Sequence, residues 1–269
     1  MRKRIILFLL AVIPLLLSGW ALRSTGAQAQ ESLRYASSAQ VREALGSQGM
    51  KAFGDTTGVK VDLFVTTSKG AVERLMKGFA DMASTAEPLA PGQETYGYRE
   101  IPFCRSPIAV IGNARVPVSD ITEEQLRGVF TKEITNWKAL GGPDEEIVVV
   151  VPARETGAFA NFSRLALKRM EVKPDFSAPM STAVVKAVRS IPGSISFIGI
   201  GHVTRDSAIR LISVGGKAPS DPQYPYQQVF AFVTKGEPAG TAKKLIDFAF
   251  TDSARAIMKD NGLVPLERK

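Results

Sequence analysis

The residue types that build reactive centres are almost missing from this sequence. Its 269 residues include one cysteine, Cys104, and one histidine, His202. A single thiol excludes an intrachain disulfide. One thiol and one imidazole also exclude a zinc site made of clustered Cys and His. A Cys–His nucleophilic pair would need those two residues to meet, and nothing in their spacing brings them together. Cys104 is expected as a small buried residue beside a strand. His202, following Gly199 and Gly201, is expected as a surface or cap residue. Long apolar runs are scarce too: residues 5–17 form the one extended run. The chain has no internal repeat, no low-complexity tract and no long linker, so any second domain must arise by chain crossing.

The apolar run follows a basic head, Arg2, Lys3 and Arg4, and precedes Ala27-Gln28-Ala29, a small-x-small cleavage pattern. It is short for a membrane span. Residues 1–29 therefore read as a cleaved export leader, with the rest soluble and periplasmic or otherwise exported. No cysteine near the cleavage point could carry a lipid anchor. The leader holds four of the 34 basic residues (Arg2, Lys3, Arg4, Arg23) and none of the 26 acidic ones, so the remainder carries about +4. That excess suits anions, and without a basic run interleaved with aromatics it points to no nucleic acid.

What is present is a repeated device. Residues 147–151, IVVVV, read as a strand buried on both faces of a parallel sheet. PARETGA follows, then a helix-like stretch from Phe159. A strand that breaks at Pro152 and re-enters a helix near Thr156 and Gly157 aims backbone N–H groups at one point, where the helix dipole favours an anion. Arg154 can add a charged planar fork and Thr156 a hydroxyl. The same residues would also make an ordinary capped helix. The device recurs at residues 33–38, where Ser37 and Ser38 precede a helix, and again where Thr66, Thr67 and Ser68 follow the strand expected over residues 59–65. There Val72, Leu75, Met76 and Phe79 share one helical face. Thr122 is expected to cap a helix with acids in its first turn, and Ser181 stands at the start of a further helix. Residues 81–89 read as a brief strand running into a loop. The alternation of strands and helices argues for α/β.

Six segments, in order, resemble the substrate-binding proteins of phosphate-type ABC transporters, the periplasmic phosphate-binding family. They are VERLMKGFADMASTAEPL, ITEEQLRGVFTKEITNWKALGG, VVVPARETGAFANF, AVVKAVRSIPGSISFIGIGHV, YPYQQVFAFVTKG and AKKLIDFAFTDSARAIMKDNGLVPL. Together they cover nearly all of residues 33–266. The resemblance implies an α/β, two-lobed periplasmic-binding-protein-like fold with two crossing strands and a central ligand cleft. Lobe 1 would be residues 31–108 plus 215–269, and lobe 2 residues 109–214. IAVIGN and QVFAFVT would be the crossings. It implies a non-enzymatic protein without cofactor or metal that captures phosphate or a similar oxyanion for a membrane permease, and a monomer.

By position, the family's anion ligands fall on Arg154, Thr156, Gly157, Ser37 or Ser38, Thr67 or Ser68, and Thr85, with Ser181 as a further candidate. The chain departs from the family at Ala158, which lacks the second hydroxyl, and at Ala86, where a polar residue often sits. Its Arg-bearing turn is about two residues shorter. Selection of protonated phosphate over sulfate needs a carboxylate that accepts the ligand's proton. Glu155 is the nearest candidate, or else a solvated acid at a helix start. Asp81 reads as structural. An oxyanion sensor of the same fold, or an exported hydrolase, are the competing readings. The hydrolase would need a metal cluster or activated nucleophile.

Overall fold

The computed structural model describes residues 30–179, 181–202 and 208–268. The leader expected at residues 1–29, Met180 and the side chain of His202 lie outside the described residues.

The chain begins with β1 (Ser32–Ser38), α1 (Ala39–Thr57), β2 (Lys60–Thr66), α2 (Ser68–Met76) and β3 (Met82–Thr85). β1 pairs in parallel with both β2 and β3. The helix α1 is broken at Gly46 (φ 60°, ψ −165°), a conformation only glycine adopts without strain. Asn261 Nδ2 donates to the carbonyls of Glu43 (3.2 Å) and Ala44 (3.3 Å) beside that break. α2 stops earlier than its apolar spacing suggests. Gly78 turns left-handed (φ 74°), so Met76 and Phe79 are exposed instead of continuing the buried row of Val72 and Leu75.

β4 (Tyr98–Asn113) is a single 16-residue strand that serves both halves of the molecule. Residues 98–107 pair antiparallel with β10 (Gln227–Lys235), and residues 108–112 with β8 (Ser194–Gly199). Between them come β5 (Asp120–Ile121), α3 (Glu123–Phe130), β6 (Val148–Pro152), α4 (Gly157–Leu165), β7 (Phe176–Ala178) and α5 (Ser181–Ser190), with β9 (Ile209–Val214) after β8. β6 has parallel neighbours on both sides, β7 and β8, which is why its valine run is continuous rather than alternating. Thr122 caps α3 through a reciprocal bond pair with Gln125, as its spacing predicts.

The strand order is β2-β1-β3-β10-β4-β8-β6-β7. The chain crosses once along β4 and returns at the head of β10. There Ile108 N donates to Tyr226 O (2.8 Å) and Tyr224 Oη to Ile108 O (3.0 Å). α6 (Gly240–Ala249), α7 (Asp252–Asp260) and β11 (Val264–Pro265) close the first half, with β11 pairing β4 at Arg105 and Cys104. Each half has its own aromatic centre. Phe103 stacks on Phe232 at 4.2 Å in the first, and Phe162 on Phe197 at 3.8 Å in the second. Cys104 is fully buried, and burial pushes its thiol well above the ordinary range, so it is inert packing. No helix among the described residues is long and apolar enough to cross a membrane.

Candidate functional site

Parallel strands end on the same side, so the helices that follow them start on the same side. α1 and α2 follow β1 and β2 on one bank; α4 and α5 follow β6 and β7 on the other. The four helix starts face one cleft of about 410 Å³. Ser38 caps α1 by accepting from Val41 N, Thr67 caps α2 by accepting from Gly70 N, and Thr156 caps α4 by accepting from Phe159 N. Each cap satisfies one orphan donor of its helix and leaves the first N–H groups of the turn to face the cleft.

The predicted residues divide sharply. Ser38, Thr67 and Ser68 line the first bank, and Glu155, Thr156, Gly157 and Ser181 the second. Ser68 Oγ accepts from Ala86 N (3.1 Å), which ties the loop after β3 to the start of α2 and leaves the hydroxyl its own proton. Ser37, Thr85 and Arg154 do not line the cleft. Ser37 alternates inward along β1 into a buried hydroxyl chain. Tyr35 Oη donates to Ser84 Oγ (2.7 Å), Ser84 Oγ to Ser37 Oγ (2.9 Å) and Ser37 Oγ to Ser38 O (3.0 Å). Burial there pushes the Tyr35 hydroxyl up to about 12, so the chain stays neutral. Thr85 folds its own loop, donating to Glu87 O (2.7 Å) and accepting from Glu87 N (2.9 Å). The Arg154 side chain is exposed and leans on Phe159, its guanidinium 5.6 Å from the ring centre.

Three lining or neighbouring residues escape the sequence reading. Gln40 and Glu43, one turn apart on α1, face the cleft, and their place on one face of the first two turns after Ser38 was the available signal. A Cβ on Gly157 would stand 2.4 Å from Gln40 Oε1 and 3.5 Å from Glu87 Oε1. The glycine therefore admits side chains from the opposite bank to the start of α4. Glu87 directly follows Ala86, the position read as lacking a polar group. Among the described residues no Lys or Arg lines the cleft, whereas Glu43 and Glu155 do. In this conformation the positive potential offered to the cleft comes from helix dipoles and not from side-chain cations. No group of three or more His, Cys, Asp or Glu among the described residues could hold a metal.

A buried polar row ties the two banks at the crossings. Asn161 Nδ2, on α4, donates to Ala86 O (2.9 Å) and to Gln228 Oε1 (3.1 Å). Gln228 Nε2 in turn reaches Ser106 Oγ at 3.4 Å. Groups buried to this degree cost free energy unless paired, and in this arrangement the row pairs them.

Comparison with known proteins follows the same outline. The sequence pattern of the PBP superfamily domain matches residues 23–253. A curated relative, phosphate-binding protein PstS of Bacillus subtilis, is 31% identical over 170 residues. That match covers 59% of this chain and 56% of the relative, so the chain spans little more than half of that relative's length. Among solved structures, a substrate-binding protein from Clostridium perfringens with bound phosphate superposes with a TM-score of 0.77 at 22% identity, covering 88% of this chain and 100% of the other. An ABC-type phosphate transport receptor from Vibrio cholerae gives 0.72 at 23% identity, covering 86% and 99%. At these identities the two structures establish the shared fold.

Proposed function

We propose, from the premise that the chain belongs to the PBP superfamily, that it is an exported, non-enzymatic binding protein that captures inorganic phosphate and passes it to an ABC transporter permease. The observation that carries this reading is the meeting of four helix starts and their hydroxyls at one cleft. Such a cradle binds a small oxyanion and offers no activated nucleophile to transform it. The phosphate-binding relatives support the choice of ligand.

The lobes divide at residues 31–108 plus 215–269 and 109–214, and closure brings their helix starts onto the ligand. Ser38, Thr67 and Ser68 donate from the first lobe. The N–H groups at Gly157 and Ser181 donate from the second. Arg154 swings from Phe159 to the cleft mouth, a movement of an exposed side chain that disrupts no buried contact. A cleft lined by the carboxylates Glu43 and Glu155 favours an anion that still carries a proton. Glu155, with Glu87 beside the start of α4, supplies the acceptor. Phosphate fits this and sulfate, fully ionised at neutral pH, does not.

Calorimetric titration of the purified protein with phosphate and with sulfate tests the reading. Saturable phosphate binding with weaker or no sulfate binding is expected. Absence of heat and of thermal stabilisation with both anions would overturn it.

A further inference from the structure

The outer edge of the first sheet is left open in an unusual way. β2 is the terminal strand on that side. Its exposed positions include Leu63 (36%), Phe64 (45%) and Val65 (40%). Edge strands are commonly blunted by proline, by charges along their length or by bulges. β2 has none of these past Asp62. Lys60 N donates inward to Glu31 O (2.9 Å). Backbone groups of successive strand residues point to opposite sides, so those of Val61, Leu63 and Val65 point outward, away from β1.

We propose that β2 pairs antiparallel with β2 of a second copy of this chain, about a two-fold axis at Leu63. One register uses all three outward-pointing residues. Leu63 stands opposite the second copy's Leu63, and Val61 opposite its Val65, twice by symmetry. On one face this gives an unbroken apolar row of β-branched and leucine pairs. On the other face Asp62 comes opposite the second copy's Phe64, in the closer type of cross-strand pair, with Cα atoms about 4.5 Å apart.

That placement meets a charge. The Arg74 guanidinium lies 3.8 Å above the Phe64 ring centre, and its Nε is buried without a hydrogen-bond partner. Asp62 has an exposed contact with Lys60 at 3.4 Å. Pairing carries each Asp62 carboxylate to the Arg74 of the other copy. The strand is thus self-complementary in backbone, apolar face and charge, as an isologous contact requires. A foreign strand would have to reproduce all three. The proposed dimer departs from the monomer that the family resemblance implies and is a weak one, since pairing one seven-residue strand buries an area at the low end of stable interfaces.

Sedimentation velocity of the purified protein, from low micromolar to near-millimolar concentration, tests the pairing. A monomer–dimer equilibrium is expected in the parent. Asp62→Arg and Arg74→Asp should each raise the dimer dissociation constant by at least about tenfold, and the double variant should recover most of it. Val65→Lys should also give a monomer, and hydrogen exchange should show the Leu63 amide protected only in the dimer. Thermal melts and phosphate titration check that each variant is folded, since none of these residues touches the cleft. A parent that stays monomeric throughout overturns the proposal. So does an Asp62→Arg protein that dimerises as the parent does, or a double variant that recovers nothing.

Discussion

On the first bank of the cleft, hydroxyls dominate: Ser38, Thr67 and Ser68 come from two helix starts, and each accepts a backbone N–H. On the second bank Thr156 both accepts from Phe159 N and donates to Ala153 O (2.7 Å), so its proton is already committed. Ala158 offers no hydroxyl at all. Besides the Ser181 hydroxyl, the second bank offers backbone N–H groups and helix dipoles, with the exposed Arg154 side chain outside the lining. The same strand–hydroxyl–helix device therefore produces two different donors. In the proposed reading one bank grips by neutral hydrogen bonds, which salt leaves alone, and the other by charge, which salt screens.

Removing charge from the second bank should have the largest effect. Losing one side of a desolvated charge pair typically costs about 2–5 kcal/mol. Arg154→Ala is therefore expected to weaken phosphate binding at least about tenfold with the fold intact, and Arg154→Lys to recover only part. Phosphate titrations of the three proteins at low and high salt check this. Unchanged affinity in Arg154→Ala would place the whole grip on hydroxyls and N–H groups.

The next test works within the first bank, on adjacent serines. Ser38→Ala should weaken phosphate binding about tenfold and remove a helix cap worth about 1 kcal/mol. Ser37→Ala should leave affinity unchanged yet lower stability by about 1–3 kcal/mol, because Ser84 loses a buried acceptor. Parallel calorimetry and denaturant melts separate the two. A loss of affinity in Ser37→Ala with Ser38→Ala silent would reverse the assignment.

A smaller effect is expected at the mouth. Glu155→Gln should narrow the preference of phosphate over sulfate several-fold, since an amide can donate to a fully ionised anion. Competition titrations measure the ratio. An unchanged ratio would leave Glu87 as the proton acceptor.

The smallest change touches neither bank. Arg34, through its side-chain hydrogen bonds, holds the Asp81 carboxyl below the ordinary carboxylate range. The folded value is lower than the unfolded one. The stabilisation is therefore present above the ordinary carboxylate value and is lost as pH falls through the depressed one. The pair is partly exposed, so Asp81→Asn should cost under about 1 kcal/mol at neutral pH. Melts repeated toward acid should show parent and variant converging.

The sequence made the strand–helix junctions legible because each leaves a chemical mark. The valine run of β6, the caps at Ser38, Thr67 and Thr156, and the capping box at Thr122 all stand where local pattern places them. The elements it missed have no local mark. β5, β7 and β11 are strands of two or three residues, and these and the longer β9 are defined by their distant partners. The end of α2 was decided by one left-handed glycine against an apolar spacing that pointed further. In the site, residue type was readable and facing was not. Ser37 and Ser38 are the same side chain on opposite sides of a strand end, and only the partners Tyr35 and Ser84 reveal which is committed inward. Arg154 carries the charge such a turn calls for, but its resting place on Phe159 depends on how α4 packs.

The position of β10 has a consequence in time. It lies between β3 and β4, although nearly half the chain separates it from them in sequence. A ribosome that has finished β1 to β4 has made a sheet with a gap in it. The missing strand arrives only at residue 227, and β11, which pairs with β4, only at residue 264. The strands and helices between β4 and β10 are synthesised without interruption, and the aromatic residues Tyr224 and Tyr226 before β10 complete the core they share. The part of the chain made first is thus the last to become a folded body, and it remains extendable until synthesis is almost complete.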